Sequence, residues 1–194
     1  MVAICVDAGT SVVKAVVFND DGTECVVNKQ QVAVERVQPG WAEQDMLAVW
    51  QAVLKALYAV TAQIPDRNAV RFLAITAQGD GCWLIDDNGK PTGPAILWND
   101  GRATAIVEQW VRTGILEKAF RLNGTGVFPG ALSALLRWLD AHDHARIERS
   151  TMAFCCKDWI VLNLTGVAAT EESDASFPFF DIRTRQYAPA LLKL

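Results

Sequence analysis

Long apolar runs are missing from this 194-residue chain. Its strongest apolar stretch, Val12 to Phe18, is only of strand length and is broken by Lys14. A membrane-spanning helix needs ~18 or more consecutive apolar residues, so no transmembrane segment is expected. The N-terminus has no basic stretch ahead of an apolar core and no cleavage-site pattern, so a secretory leader is not expected either. Histidine is scarce, with His142 and His144 the only two. The five cysteines (Cys5, Cys25, Cys82, Cys155 and Cys156) contain no C-x-x-C spacing. An odd count with a vicinal pair does not make a disulfide framework, and so few imidazoles leave a zinc site without ligands. Reduced, buried thiols in a cytoplasmic protein are the expectation. Lysine and arginine number 18 against 22 acidic residues, a net charge of −4, with no dense basic cluster. That balance argues against a nucleic-acid surface.

Apolar residues are what the chain does have, at 51%. This is enough to fill the core of one ordinary domain or one lobe of a larger protein. The opening is rich in strand signals. Val2 to Val6 is a short apolar run ending at Asp7, Val12 to Asn19 is β-branched, and Thr23 to Glu35 reads as a third strand. The links between them, Asp7-Ala8-Gly9-Thr10-Ser11 and Asp20-Asp21-Gly22, are too short for parallel crossovers and predict an antiparallel meander. Asp45 is the expected N-cap of a helix over 46–63, and Val70 to Thr76 reads as a buried strand. Meander, helix and strand in that order predict an α/β layer fold with a mixed sheet. Short strands are expected at 82–85, 94–98 and 152–155. Helices are expected at 102–112, 115–121, 131–141 and 157–164, with another beginning at Ala188.

The turn Asp7-Ala8-Gly9-Thr10-Ser11, followed by Lys14, carries the clearest chemistry. Glycine lets the backbone approach an anion, hydroxyls and amides donate to phosphate oxygens, and a carboxylate at a strand end can hold hydrated Mg²⁺. It is not a Walker A loop, because the spacing is wrong and a strand follows. Alone, the pattern is also ordinary turn chemistry.

Five segments in order make the reading specific: Asp7 to Ser11, Pro39-Gly40-Trp41-Ala42-Glu43-Gln44-Asp45, Thr76-Ala77-Gln78-Gly79-Asp80-Gly81, Leu97-Trp98-Asn99-Asp100-Gly101-Arg102, and Lys157-Asp158-Trp159 through Leu164-Thr165-Gly166. The set, with Glu172 to Ser176 after it, resembles the FGGY carbohydrate kinases. The resemblance implies an actin-like ATPase, RNase H-like α/β fold in which residues 1–194 form most of the N-terminal lobe. The C-terminal ATP-binding lobe, and the Asp that serves as general base, would lie beyond Leu194. It also implies ATP and Mg²⁺ as cofactors. Gly9, Thr10, Ser11 and Lys14 would meet the ATP phosphates and Asp7 the metal. Gln78, Asp80, Trp98 and Asp100 would meet a small sugar or polyol.

Leu97 to Arg102 is similar to xylulose kinases, but these carry Met-His-Gly where this chain has Gly79-Asp80-Gly81. The Gln-Gly-Asp-Gly version is closer to erythritol kinases, and Leu135 to Leu139 is similar to L-xylulose kinases. The implied substrate is therefore open among pentuloses and small polyols, and a homodimer is compatible with the resemblance. On the residues alone, Pro39 to Asp45 reads as helix entry, Lys157-Asp158 as a charge pair at a helix start, and Arg102 as a partner for a nearby carboxylate. A non-catalytic actin-like module that binds a sugar or a partner is the alternative. An RNase H-like nuclease ranks lower, because the clustered carboxylates it needs are lacking.

Overall fold

The computed structural model of the chain describes residues 1–176 and 179–193. These form two compact units, Met1–Val34 with Gln44–Gln78, and Glu35–Glu43 with the chain from Gly79 onward.

The first unit is built on the meander. β1 (Val2–Ala8), β2 (Val12–Asn19) and β3 (Glu24–Gln31) pair antiparallel in sequence. Just before α1 the chain passes through the two-residue strand β4 (Glu43–Gln44). α1 (Met46–Thr61) then crosses the sheet and leads, through a 3-10 turn at Arg67–Ala69, to β5 (Val70–Ala77). β5 pairs parallel with β1, giving the strand order β3-β2-β1-β5.

Strand periodicity decides which side chains face the helix. Ile4, Val6 and Ala8 of β1 and Val13, Ala15 and Val17 of β2 are buried, as are Met46, Val49, Ala52, Val53, Ala56 and Val60 of α1. Each large apolar side chain so buried contributes about 1.5–3 kcal/mol. Asp45 caps α1, its Oδ1 accepting from the Leu47 and Ala48 amides at 2.8 and 3.2 Å. Such a cap stabilises a helix by about 1 kcal/mol.

The second unit is mainly helical around short strands. β6 (Trp83–Ile85) and β7 (Ala95–Ile96) precede α2 (Thr104–Arg112), α3 (Ile115–Asn123), α4 (Leu132–His142) and α5 (His144–Glu148). β8 (Met152–Phe154) pairs antiparallel with β6. α6 (Cys156–Thr165), α7 (Glu172–Ser176) and the small hairpin β9 (Phe180–Asp181) and β10 (Gln186–Tyr187) follow. Its core gathers Cys82, Leu84, Ile96, Ala103, Leu132, Ala134, Leu135 and Leu139.

Meander, mixed sheet and capped helix match the expectation from sequence. Four elements differ. β5 forms where a strand is expected but is not buried, since Arg71, Phe72, Leu73, Ala74 and Thr76 are exposed. β3 stops at Gln31 rather than Glu35, because its partner β2 begins at Val12 and no strand residue remains opposite. The strand expected at 94–98 shrinks to two residues, since the Asp100 amide donates to the Leu97 carbonyl at 3.0 Å and turns the chain. The helix start expected at Ala188 is a 3-10 turn at Leu191–Lys193, and Leu194 lies outside the described residues. α5, α7 and the β9–β10 hairpin are too short to give a periodic signal.

Candidate functional site

In the first unit the β1–β2 turn is held by a closed ring of side chains. Thr10 Oγ1 donates to Gln78 Oε1 at 3.1 Å, Gln78 Nε2 to Gln44 Oε1 at 2.8 Å, and Gln44 Nε2 to the Thr10 carbonyl at 2.8 Å. Gln44 is buried, and its Nε2 also reaches the Ala33 carbonyl at 3.1 Å. The Gly9 amide closes the turn onto the Val12 carbonyl at 3.0 Å, the same oxygen that a Cβ at Gly9 would approach to 3.1 Å. Gln78 therefore sits with the turn residue Thr10, a grouping that the sequence did not indicate. The Ser11 side chain is exposed.

Asp7 at the end of β1 stands opposite Lys14 of β2 and Thr76 of β5. Cross-strand partners share a face, so the three form a row on the side of the sheet away from α1. Lys14 pairs with Glu24 at 3.3 Å, whereas Asp7 is exposed and carries no hydrogen bond or ion pair among the described residues. An uncommitted carboxylate beside a turn of amides and hydroxyls fits Mg²⁺, which takes one or two carboxylates along with phosphate oxygens and water.

In the second unit Asp80 lies at the tip of Gly79-Asp80-Gly81 with φ of +53°. A non-glycine residue held in the left-handed region costs of order 1–3 kcal/mol. Its Oδ1 is buried and has no hydrogen-bond partner among the described residues. Burial, and then the negative charge of Asp174, push its carboxyl up from 3.8 to about 6. The turn is locked from behind. The Gly81 amide donates to the Gly130 carbonyl at 3.1 Å, and a Cβ on Gly81 would lie 2.6 Å from the Ile96 carbonyl oxygen. Gly130 in turn lies so close to Trp98 that a Cβ would overlap its carbonyl oxygen, at 1.7 Å. Gly130 thus ties the Asp80 turn to the Trp98 loop. The Trp98 indole is 45% exposed, and with Asn99, Phe128, Pro129 and Gly130 it borders an open groove of about 470 Å³.

Asp100 departs from the sequence expectation. Its side chain is fully buried and both oxygens are occupied. Oδ1 accepts from the Arg102 amide and Nε at 2.8 and 2.9 Å, while Oδ2 accepts from the Ala42 amide and Arg102 Nη2 at 2.6 and 2.9 Å. Arg102 also binds Glu43 at 2.7 Å, and its guanidinium lies 3.9 Å from the Trp41 ring centroid and 5.0 Å from that of Trp138. With four hydrogen bonds already made inside the protein, Asp100 has no acceptor to offer a ligand.

A last cluster lies at the start of α6. Lys157 Nζ pairs with Asp158 at 2.5 Å and Asp174 at 3.3 Å. Burial alone would lower its pKa, but the attraction of Asp158 and Asp174 outweighs this and holds it above the usual lysine value. Cys155, Asp158 and Asp174 could offer ligand atoms within 4.8 Å of one another. Burial and the surrounding carboxylates push the Cys155 thiol far up, however, and the Lys157 ammonium already pairs with both acids. This is ion-pair chemistry rather than a metal centre. The sequence signalled only the Lys157-Asp158 pair. Asp174 lies sixteen residues beyond Asp158 in sequence and joins it only through the fold.

Residues 2–194 match the N-terminal domain of the FGGY family of carbohydrate kinases. The chain is similar to an erythritol kinase of Brucella abortus, with 34% identity over 99% of this chain and 37% of that protein. It is also similar to the L-xylulose/3-keto-L-gulonate kinase of Escherichia coli, with 36% identity over 95% of this chain and 38% of that protein. Its fold matches that of ligand-bound xylulose kinase from Lactobacillus acidophilus, with a TM-score of 0.94 over 99% of this chain and 39% of that one, at 21% identity. The chain therefore spans less than two-fifths of the length of these curated relatives.

Proposed function

Because this chain belongs to the FGGY family of carbohydrate kinases, we propose that it supplies the sugar-recognition and first phosphate-contacting parts of an enzyme that phosphorylates a small sugar or polyol with ATP. Asp80 carries this reading. It is strained, its Oδ1 is buried without a hydrogen-bond partner, and an exposed indole is tied to the same turn through Gly130. A carboxylate accepts from vicinal hydroxyls, and an indole face covers C–H groups. Together they suit a polyol or the open chain of a pentulose. The names of the similar kinases, erythritol and L-xylulose among them, fall in that class.

Within this reading Asp80 accepts substrate hydroxyls and Trp98 lines the carbon chain. Asp100 holds the Trp98 loop in place through Arg102 and Ala42 rather than touching substrate. In the first unit, Gly9, Thr10, Ser11 and Lys14 are assigned to the ATP phosphates and Asp7 to Mg²⁺. Gln78 supports this by fixing Thr10 rather than by binding sugar. Bound Mg²⁺ and ATP supply the phosphoryl group and neutralise its charge, which makes positioning the main task left to the protein. No residue of this chain is assigned as general base.

The test uses the protein as its gene encodes it. ADP release would be followed with erythritol, L-xylulose and D-xylulose, in wild type and in Asp80→Asn. Loss of charge-assisted hydrogen bonds worth about 1.5–3 kcal/mol predicts a KM for sugar roughly 10- to 150-fold higher. An unchanged KM would remove Asp80 from the site. Sugar binding in calorimetry without ADP release from any of the three would instead assign a binding module.

A further inference from the structure

The charge cluster at the start of α6 faces a carboxylate on which the proposed function depends, and the inference below rests on that reading of Asp80. β6 and β8 pair antiparallel with Trp83 opposite Phe154 and Ile85 opposite Met152. The turn that precedes β6 and the helix that follows β8 therefore leave the same end of the ladder. That turn carries Asp80, and the first helical turn of α6 carries Lys157 and Asp158. α7 brings Asp174 to the same place, where Lys157 Nζ holds it at 3.3 Å while pairing with Asp158 at 2.5 Å. Glu171 stands 3.9 Å from the same ammonium.

Three carboxylates, Asp80, Asp158 and Asp174, are thus brought to one end of the ladder, two of them paired with the Lys157 cation. Cys155 lies among them and contributes no charge, because its thiol is held protonated by burial and by the charges of Asp174, Asp158 and Asp80. Asp158 is almost wholly buried, and the Lys157 and Asp174 side chains are about four-fifths buried, so solvent screens them weakly. Two of the acids are tied to Lys157. The third, Asp80, keeps a free oxygen.

We propose that Lys157 is a positioning residue for substrate recognition: by clasping Asp158 and Asp174 it offsets their charge and leaves Asp80 as an anionic acceptor for substrate hydroxyls. The charge that reaches Asp80 is that of Asp174 from α7, and Asp174 is held by Lys157 of the β8–α6 junction, where Cys155 and Asp158 also lie. Without Lys157, the Asp174 charge that reaches Asp80 would be unbalanced, and Asp80 would retain its proton to higher pH. Without the Asp174 charge, it would lose its proton at lower pH.

The readout is the acid limb of kcat/KM for sugar in the full gene product, with erythritol, L-xylulose and D-xylulose as probes. Wild type should lose affinity as pH falls through about 6, where Asp80 takes up a proton. Lys157→Met should move that limb up by about one pH unit, the scale expected when a neighbouring opposite charge is removed. Lys157→Arg should restore it, and Asp174→Asn should move it down. Opposite displacements by the two neutral variants are not expected of a purely structural clasp, whose loss would lower activity at every pH. Should Lys157→Met fail to fold, Lys157→Gln, which removes the charge and keeps a polar head, takes its place. If Asp80→Asn raises KM but neither neutral variant moves the limb, the role of Lys157 is overturned while Asp80 stands. If Asp80→Asn leaves KM unchanged, the underlying reading fails instead.

Discussion

A carboxyl that is half-buried, strained and unpaired, as Asp80 is, weakens the fold whenever it is ionised. Its folded-state pKa of about 6 lies above the usual 3.8, so the folded chain binds that proton more tightly than the unfolded one. Below pH 4 the group is neutral in both states and costs little. As pH rises through 6 the folded chain has to carry a buried charge, and stability falls before levelling off. Asp80→Asn, which also tolerates the left-handed backbone, should therefore raise the urea midpoint at pH 7.5, and the gain should vanish near pH 4. A gain of equal size at both pH values would assign the effect to packing instead. Gly130 is the second residue whose chemistry is fixed by its surroundings. Gly130→Ala places a methyl on the Trp98 carbonyl, and overpacking of this kind typically costs about 1–3 kcal/mol. It should lower the urea midpoint and, because the Trp98 loop has to shift, weaken sugar binding in the full protein. The sequence singles out Asp80 and Trp98 through their motifs. Gly130 is invisible there, since only the approach of a distant carbonyl gives it meaning.

Elements are joined in the second unit by one arginine. Arg102 links the 97–102 loop to Glu43, to Trp41 and to Trp138 on α4. Its guanidinium is planar and forked, and it both bridges two carboxylates and lies over indole faces, which an ammonium cannot reproduce. Arg102→Lys keeps the charge and loses the geometry, leaving Asp100 with unmet acceptors in a buried site. Disrupting a buried pair in this way typically costs about 3–5 kcal/mol. The thermal midpoint should drop by several degrees, and a drop within error would show the network to be plastic. From sequence, Arg102 was expected to pair with a nearby carboxylate, and it does. The Asp45 cap and the meander were equally readable, because caps, tight turns and two-residue periodicity are local signals. The network as a whole was not, since Ala42, Glu43, Asp100 and Trp138 converge from segments far apart in the chain. The same reason explains why Asp100, placed in a substrate loop by resemblance, is fully occupied by hydrogen bonds within the protein.

At the scale of the molecule, the sheet of the first unit ends in β5, whose outer edge has no strand beside it among the described residues. Phe72 and Leu73 on that strand are 56% and 40% exposed. An apolar open edge is a template for pairing with another chain. The 194-residue chain should therefore self-associate at micromolar concentration in sedimentation velocity, and Leu73→Lys should shift it toward monomer. Association unaffected by that change would locate the contact elsewhere. The cysteines offer a different consequence. The Cys82 thiol is pushed up to about 12 by burial, Cys155 is held higher still, and Cys156 is fully buried, whereas Cys25 is exposed. Only the thiolate reacts with alkylating reagents, so the native chain at neutral pH should take label quickly at Cys25 and hardly at all at the three buried cysteines, with the half-buried Cys5 between them. A timed pulse of iodoacetamide followed by mass measurement would thus turn Cys82, Cys155 and Cys156 into built-in clocks for how often the second unit opens.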